Sequence, residues 1–174
     1  MKNNIAIIGA TGAVGRKILE TLHVRKFPFK NITLLASKKS DGKKISLNGN
    51  EYVVKDLESF DFQDIDISFF SAGSAISKIY APLAEKKKCY VIDNTSHFRM
   101  DKDIPLIVPE INERDLLKSN RKIIANPNCS TIQMLVALAP IHNVSKIKRV
   151  VVSTYQSVSG AGQSAINELK EQSK

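Results

Sequence analysis

Cysteine is scarce in this chain of 174 residues: only Cys89 and Cys129 occur. Two thiols with no nearby partner ligands make neither a disulfide framework nor a metal pattern, and they fit a reducing compartment such as the cytoplasm. No apolar run approaches the ~18–20 residues that a membrane-spanning helix needs. The opening Met1-Lys2-Asn3-Asn4 leads straight into a strand-like run and reads as carrying no signal peptide. There is no internal repeat, low-complexity segment or linker. Histidine is also rare, limited to His23, His97 and His142, which restricts the side chains able to move protons near neutral pH.

What is present is a soluble composition with 43% hydrophobic and 25% charged residues, and a net charge of +9. The lysines are scattered (Lys26, Lys43, Lys55, Lys102, Lys170), and the compact run Lys86-Lys87-Lys88 falls at a predicted helix end, where cations suit the dipole. This argues for a solvated basic surface with some attraction for anionic substrates, and against a nucleic-acid partner.

Short apolar runs alternate with amphipathic stretches, the mark of βαβ units. Strands are predicted near Ile5–Gly9, Ile32–Ala36, Ile67–Ser71, Tyr90–Asp93, Leu106–Val108, Lys122–Ala125 and Arg149–Tyr155. A hairpin joins Lys44–Leu47 to Tyr52–Lys55 through Asn48-Gly49-Asn50. Helices are predicted near Val14–Arg25, Ala75–Glu85 (Pro82 weakening its second half), Ser130–Ile141 and from Gln163 onward. The order implies an α/β fold: a Rossmann-like, doubly wound, mostly parallel sheet, followed by the start of a second α/β unit. The division is drawn at 1–127 and 128–174.

Gly9-Ala10-Thr11-Gly12-Ala13-Val14-Gly15 lies between the first strand and the first helix. Gly9 ends the strand in a tight turn, Gly12 lets a pyrophosphate approach the backbone, and Gly15 lets helix pack on strand, while the helix N-terminus offers free N–H groups to phosphate. The bland alternative is a tight turn that holds nothing. An NAD site usually has an acidic residue at the end of the second strand. Here Ala36-Ser37-Lys38-Lys39-Ser40 stands instead, without a carboxylate, which favours a 2′-phosphate and hence NADP.

Asn126-Pro127-Asn128-Cys129-Ser130-Thr131 joins a strand to a helix. Pro127 delays the helix, Asn128 or Ser130 can cap it, and Cys129 falls at its N-terminus, where the dipole favours negative sulfur. Cys89 precedes a buried strand and reads as core. A lone cysteine is often structural, so these residues alone leave the role of Cys129 open.

With Leu35-Ala36-Ser37, Phe70-Ser71-Ala72-Gly73, Asp93-Asn94-Thr95-Ser96 with Phe98-Arg99-Met100, Val108-Pro109-Glu110 and Ser153-Thr154-Tyr155-Gln156-Ser157-Val158-Ser159-Gly160-Ala161-Gly162 added to these two segments, the sequence resembles the bacterial aspartate-semialdehyde dehydrogenases along its whole length. The resemblance implies reduction of aspartyl phosphate to aspartate semialdehyde, with release of phosphate, by an NADPH-dependent homodimer. It makes Cys129 the nucleophile that becomes a thioester and Gln156 the residue that orients substrate. It gives Arg99 and Asn128 to the substrate, with Arg99 on its phosphate. Gly9, Thr11 to Gly15, Ser71, Ala72, Gly73, Ser159 and Gly160 go to the dinucleotide, and Ser37, Lys39 and Ser40 to its 2′-phosphate end, where the family often has arginine before the serine. No metal is implied.

The family places its catalytic histidine and a substrate arginine in a second half that these 174 residues do not contain. His142 is down the same predicted helix as Cys129, about 20 Å away at ~1.5 Å per residue, and His23 lies near the far end of the first helix. The chain alone is therefore expected to be inactive. Three readings stay open: part of the enzyme that works with a separate carboxy-terminal half, a stand-alone nucleotide-binding or regulatory module, or a decayed product without a stable fold.

Overall fold

The computed structural model describes residues 3–174, so the reading of Met1 and Lys2 as a leaderless start lies outside the described residues. The elements run β1 (Asn3–Ile8), α1 (Ala13–Val24), β2 (Phe29–Ala36), β3 (Lys44–Leu47), β4 (Asn50–Asp56), β5 (Ile67–Phe70), α2 (Ser74–Lys86), β6 (Tyr90–Asp93), α3 (Pro109–Asn112), β7 (Ile123–Ala125), α4 (Cys129–Val144) and α5 (Gln163–Gln172). The strands form one sheet in the order β3-β4-β2-β1-β5-β6-β7. Every neighbouring pair is parallel except β3 with β4.

Strand β1 is central, and its residues alternate between two cores. Ile5 and Ile7 face a cluster with Leu19 and Leu22 of α1, Leu34 and Val54. Ala6 and Ile8 face a second cluster with Leu35, Phe70, Ala81, Ala84 and Val91. Helices cover both faces, so both parities must be apolar, and the central strands read as continuous hydrophobic runs. The β3–β4 hairpin closes through Asn48 and Gly49, both at positive φ (49° and 78°), as a two-residue connection between twisted strands requires.

Helix α2 continues through Pro82. Ser77, Ala81 and Ala84 are fully buried against the sheet, and this packing outweighs the hydrogen bond that proline removes. The end of α2 is also tied down: Arg121 meets Glu85 with Nε at 2.9 Å and Nη2 at 2.8 Å, and the Lys122 amide donates to the same carboxylate at 2.8 Å. These bonds hold the Glu85 carboxyl below its ordinary range, chiefly through the Arg121 hydrogen bonds.

Two predicted strands are corrected. Leu106–Val108 makes only one bridge, Leu106 with Ala125, because Pro105 precedes it and Pro109 turns the chain into α3 at its first helical position. Arg149–Tyr155 forms no strand. Its β-branched residues suit a sheet, but propensity is expressed only where an edge is available. Here Val151 and Tyr155 are 81% and 99% exposed. Helix α4 is longer than predicted and apolar, yet none of its residues is fully buried. Among the described residues, no helix is long and apolar enough to cross a membrane.

Replacing Glu85 with Gln leaves the Arg121 fork facing a neutral amide. Because the folded-state pKa of Glu85 is depressed, its stabilisation is present above the ordinary carboxylate range and lost as pH falls through the lowered folded value. Thermal melts of E85Q should show a loss of about 1 kcal/mol near pH 7, with the wild-type advantage fading in acid; a pH-independent gap would contradict this.

Candidate active site

Strand order reverses across β1: β2 lies to one side and β5 to the other. In open α/β sheets, a crevice forms at the carboxyl ends of the strands at such a point. Gly9 ends β1 at φ +84°, with a Cβ there falling 2.9 Å from the Ser71 carbonyl carbon. Only glycine allows this conformation and approach together. A Cβ on Gly15 would overlap the Gly9 carbonyl and lie 2.8 Å from Ala10 Cα, so α1 can start against the turn only with glycine there.

Neither α1 nor α2 has a side-chain cap; their N-cap residues are Gly12 and Gly73. The first amides of both helices are therefore left to other acceptors. Two adjoining clefts open there. The outer, of about 370 Å³, is lined by Gly9, Thr11, Gly12, Ser37, Ser71 and Ala72, with Glu58 and Tyr80. The inner, of about 400 Å³, is lined by Gly12, Ala13, Val14, Ser71, Gly73 and Gly160, with Asn94, Thr95 and Ser96. Gly12 and Ser71 belong to both, so an extended two-part molecule would cross the crevice over them. This cradle fits a dinucleotide: small residues, two uncapped helix starts and a polar inner wall.

Gly15 shapes the turn without lining a cleft. Ser159 bonds through its hydroxyl to Ser157 and is not on the inner wall. Lys39 is exposed and Ser40 is buried, in a 3-10 turn over Lys38–Ser40 that lies outside both clefts. Glu58, Tyr80 and the Asn94–Ser96 loop line the clefts without a role expected from the sequence. The motif Asp93-Asn94-Thr95-Ser96 was a signal for the loop; Glu58 and Tyr80 arrive from beyond β4 and from α2, and nothing in their local sequence marks them.

Asn128 caps α4, its side-chain oxygen accepting from the Ser130 amide at 3.0 Å and hydroxyl at 2.6 Å. That leaves Cys129 as the first helical residue, exposed. Gln156 Nε2 donates to its Sγ at 3.2 Å. Gln156 also lies behind the inner cleft's lining, since a Cβ on Gly160 would lie 3.6 Å from its Cδ. Cys129 Sγ, the Gln156 amide and Gly160 of the inner cleft thus follow one another in contact. Cys89 is different: it is fully buried, and burial pushes its thiol up to about 11.

Arg99 is half-buried and donates from Nε to the Asn126 carbonyl at 3.0 Å and from Nη2 to the Asn94 carbonyl at 3.1 Å. None of the three histidines contacts Cys129. His23 bonds the Tyr52 hydroxyl at 2.7 Å, His142 Nδ1 accepts from the Ile147 amide at 3.2 Å, and His97 packs edge-on against Phe98. Among the described residues, no group of three His, Cys, Asp or Glu side chains is gathered to hold a metal.

Residues 4–119 match the family model for the semialdehyde dehydrogenase NAD binding domain, and residues 138–174 match that for the semialdehyde dehydrogenase dimerisation domain. The chain belongs to the semialdehyde dehydrogenase family. Within this family it is 54% identical to aspartate-semialdehyde dehydrogenase 2 of Vibrio cholerae over 170 residues, covering 97% of this chain and 50% of that protein. It is also 54% identical to the Aquifex aeolicus aspartate-semialdehyde dehydrogenase over 176 residues, covering all of this chain and 52% of that protein. The crystal structure of the Vibrio cholerae aspartate semialdehyde dehydrogenase II complexed with ASA superposes with a TM-score of 0.95 at 53% identity, over 99% of this chain and 52% of that one. The semialdehyde dehydrogenase chain thus spans about half the length of the curated relatives it matches.

Gly15→Ala should destabilise the fold by about 2–4 kcal/mol, since backbone on both sides of the added carbon must move. The same variant should lose dinucleotide-induced thermal stabilisation. A melt within a degree or so of wild type would show that the turn has slack the structure does not suggest.

Proposed function

We propose that this chain supplies the dinucleotide site and the nucleophile of an NADP-dependent aspartate-semialdehyde dehydrogenase. The observation that carries the reading is the contact of Gln156 with Cys129 Sγ at 3.2 Å, on a side chain that also backs the inner cleft at Gly160. Identity above 50% to enzymes of that name supports the substrate.

In this reading Cys129 thiolate attacks the acyl carbon of aspartyl phosphate. The new S–C bond forms as the C–O bond to phosphate breaks, and phosphate leaves. A nicotinamide dinucleotide held by Gly12 to Val14, Gly73 and Gly160 would supply the hydride that takes the acyl group to the aldehyde level; the S–C bond then breaks, its electron pair returning to Cys129 sulfur as aspartate semialdehyde departs. The start of α4 stabilises negative charge on sulfur and on the nearby oxygen. Gln156 orients the substrate beside Sγ, and Asn128 and Arg99 contact it, Arg99 through the phosphate. The inner cleft, with Gly73 and Gly160, takes the nicotinamide; Ser159 adjoins it. Gly12 to Val14 take the pyrophosphate, and the outer cleft takes the adenosine half.

NADP is preferred because the end of β2 carries Ser37, Lys38 and Lys39 and no carboxylate, so that exposed Lys39 can reach toward a 2′-phosphate, while Ser40, buried in the same turn, contributes through the turn it closes. Residues 1–127 form the dinucleotide-binding unit. Residues 128–174 begin the catalytic and dimerising unit, in keeping with the second family match. The apolar, unburied surface of α4 and the exposed valines at 150–152 support a homodimer completed by a carboxy-terminal half that brings the acid/base group.

Two measurements check this. Titration should show NADP binding about tenfold or more tighter than NAD, roughly what one well-placed charged contact provides; equal affinities would remove the NADP assignment. The chain alone should turn over no substrate, whereas mixing with a separately produced carboxy-terminal half of a relative should restore NADP-dependent activity that Cys129→Ala abolishes. Activity that survives Cys129→Ala would end the thioester route.

A further inference from the structure

The loop after β6 and the loop after β7 are held together by more than their strand pairing. Asn126 donates its amide N–H to the Asp93 carbonyl at 2.8 Å, and its Nδ2 to Asn94 Oδ1 at 2.9 Å. Arg99 then spans both loops, with Nε on the Asn126 carbonyl at 3.0 Å and Nη2 on the Asn94 carbonyl at 3.1 Å. Beneath them Asp93, fully buried, accepts from Ser77 Oγ at 2.8 Å and Thr95 Oγ1 at 2.9 Å. One loop lines the inner cleft with Asn94, Thr95 and Ser96. The other continues through buried Pro127 to the Asn128 cap and Cys129.

A guanidinium presents its donors in a rigid planar fork. Here one edge of the fork, Nε with Nη2, is used on two neutral carbonyls from two different loops. An anion is left the Nη1 side. We propose that Arg99 is a positioning residue: with the Asn94–Asn126 amide pair, it fixes the Cys129-bearing loop to the cleft wall whether or not an anionic substrate is present. Lysine in its place keeps the positive charge but presents a single ammonium at the end of a flexible stem, and cannot occupy both carbonyls with the same geometry.

This rests on Cys129 being the reactive thiol, and the test separates the two. The intact 174-residue chain is treated with iodoacetamide in the absence of cofactor, phosphate and substrate, and alkylation of Cys129 is followed by mass spectrometry. Buried Cys89 should stay unmodified in the native protein and serves as the internal control. Arg99→Lys and Asn126→Ala should each slow Cys129 alkylation about fivefold or more, a change of the size expected when hydrogen bonds holding a charged fork and its loop are lost. Asn126→Ala retains the arginine, so a role limited to binding substrate phosphate predicts no change in that variant. Rates in both variants equal to wild type within about twofold, or faster, would overturn the inference while leaving Cys129 as nucleophile. Wild-type Cys129 no more reactive than a free cysteine would overturn both. If Arg99→Lys loses its cooperative melt, Asn126→Ala decides by the same threshold.

Discussion

Three stretches of backbone meet at the carboxyl end of β1 with no room for a side chain between them. Gly9 lies against Ser71 and Ala72 after β5, and Gly15 lies against Gly9 and Ala10. This contact brings the uncapped starts of α1 and α2 to the same crevice and keeps Gly12 and Ser71 common to both clefts. Glycine in these places carries an entropic penalty in the unfolded chain of roughly 0.5–1 kcal/mol each relative to alanine. The two packed faces of the sheet offset it, because β1 is buried on both sides.

Much of this was legible from local chemistry. A glycine turn between a strand and an amphipathic helix specifies its own geometry, and so do Asn48-Gly49 in a hairpin and Asn128 ahead of a helix. Each acts through atoms within a few residues of itself. The failures were of the opposite kind. Arg149–Tyr155 has strand composition, but a strand is a relation between two segments, and the second is absent from its surroundings here. Leu106–Val108 has an available neighbour in β7, yet its flanking prolines limit the contact to one bridge. Glu58 and Tyr80 reach the outer cleft only because β4 lies beside β2 and α2 crosses β5, which no short motif records.

The two cysteines show how place decides chemistry for the same side chain. Cys89 enters β6 from below, loses all contact with water and bonds Ser68 Oγ at 3.3 Å; ionising it would put charge into an apolar layer. Cys129 sits at the opposite end of the sheet, where a proline-delayed, asparagine-capped helix begins in the open. What distinguishes them in sequence is their flanks: an apolar run after the first, and Asn-Pro-Asn before the second.

The polar wall between the inner cleft and Cys129 extends that argument from single residues to loops. A thiol at a helix start gains charge stabilisation from the backbone, but charge stabilisation alone does not aim it. Aim requires that the loop before the helix be fixed against the surface where the second reactant lies. Here the sheet register already aligns Asp93 with Ala125, and the side chains of Asn94, Arg99 and Asn126 extend the alignment past the ends of the strands, where ladder hydrogen bonds stop. The residues that continue a sheet by other means are polar because their partners are backbone carbonyls and amides that the strands leave unpaired. Under the proposed function, reactivity and architecture share the same few hydrogen bonds at this edge of the molecule.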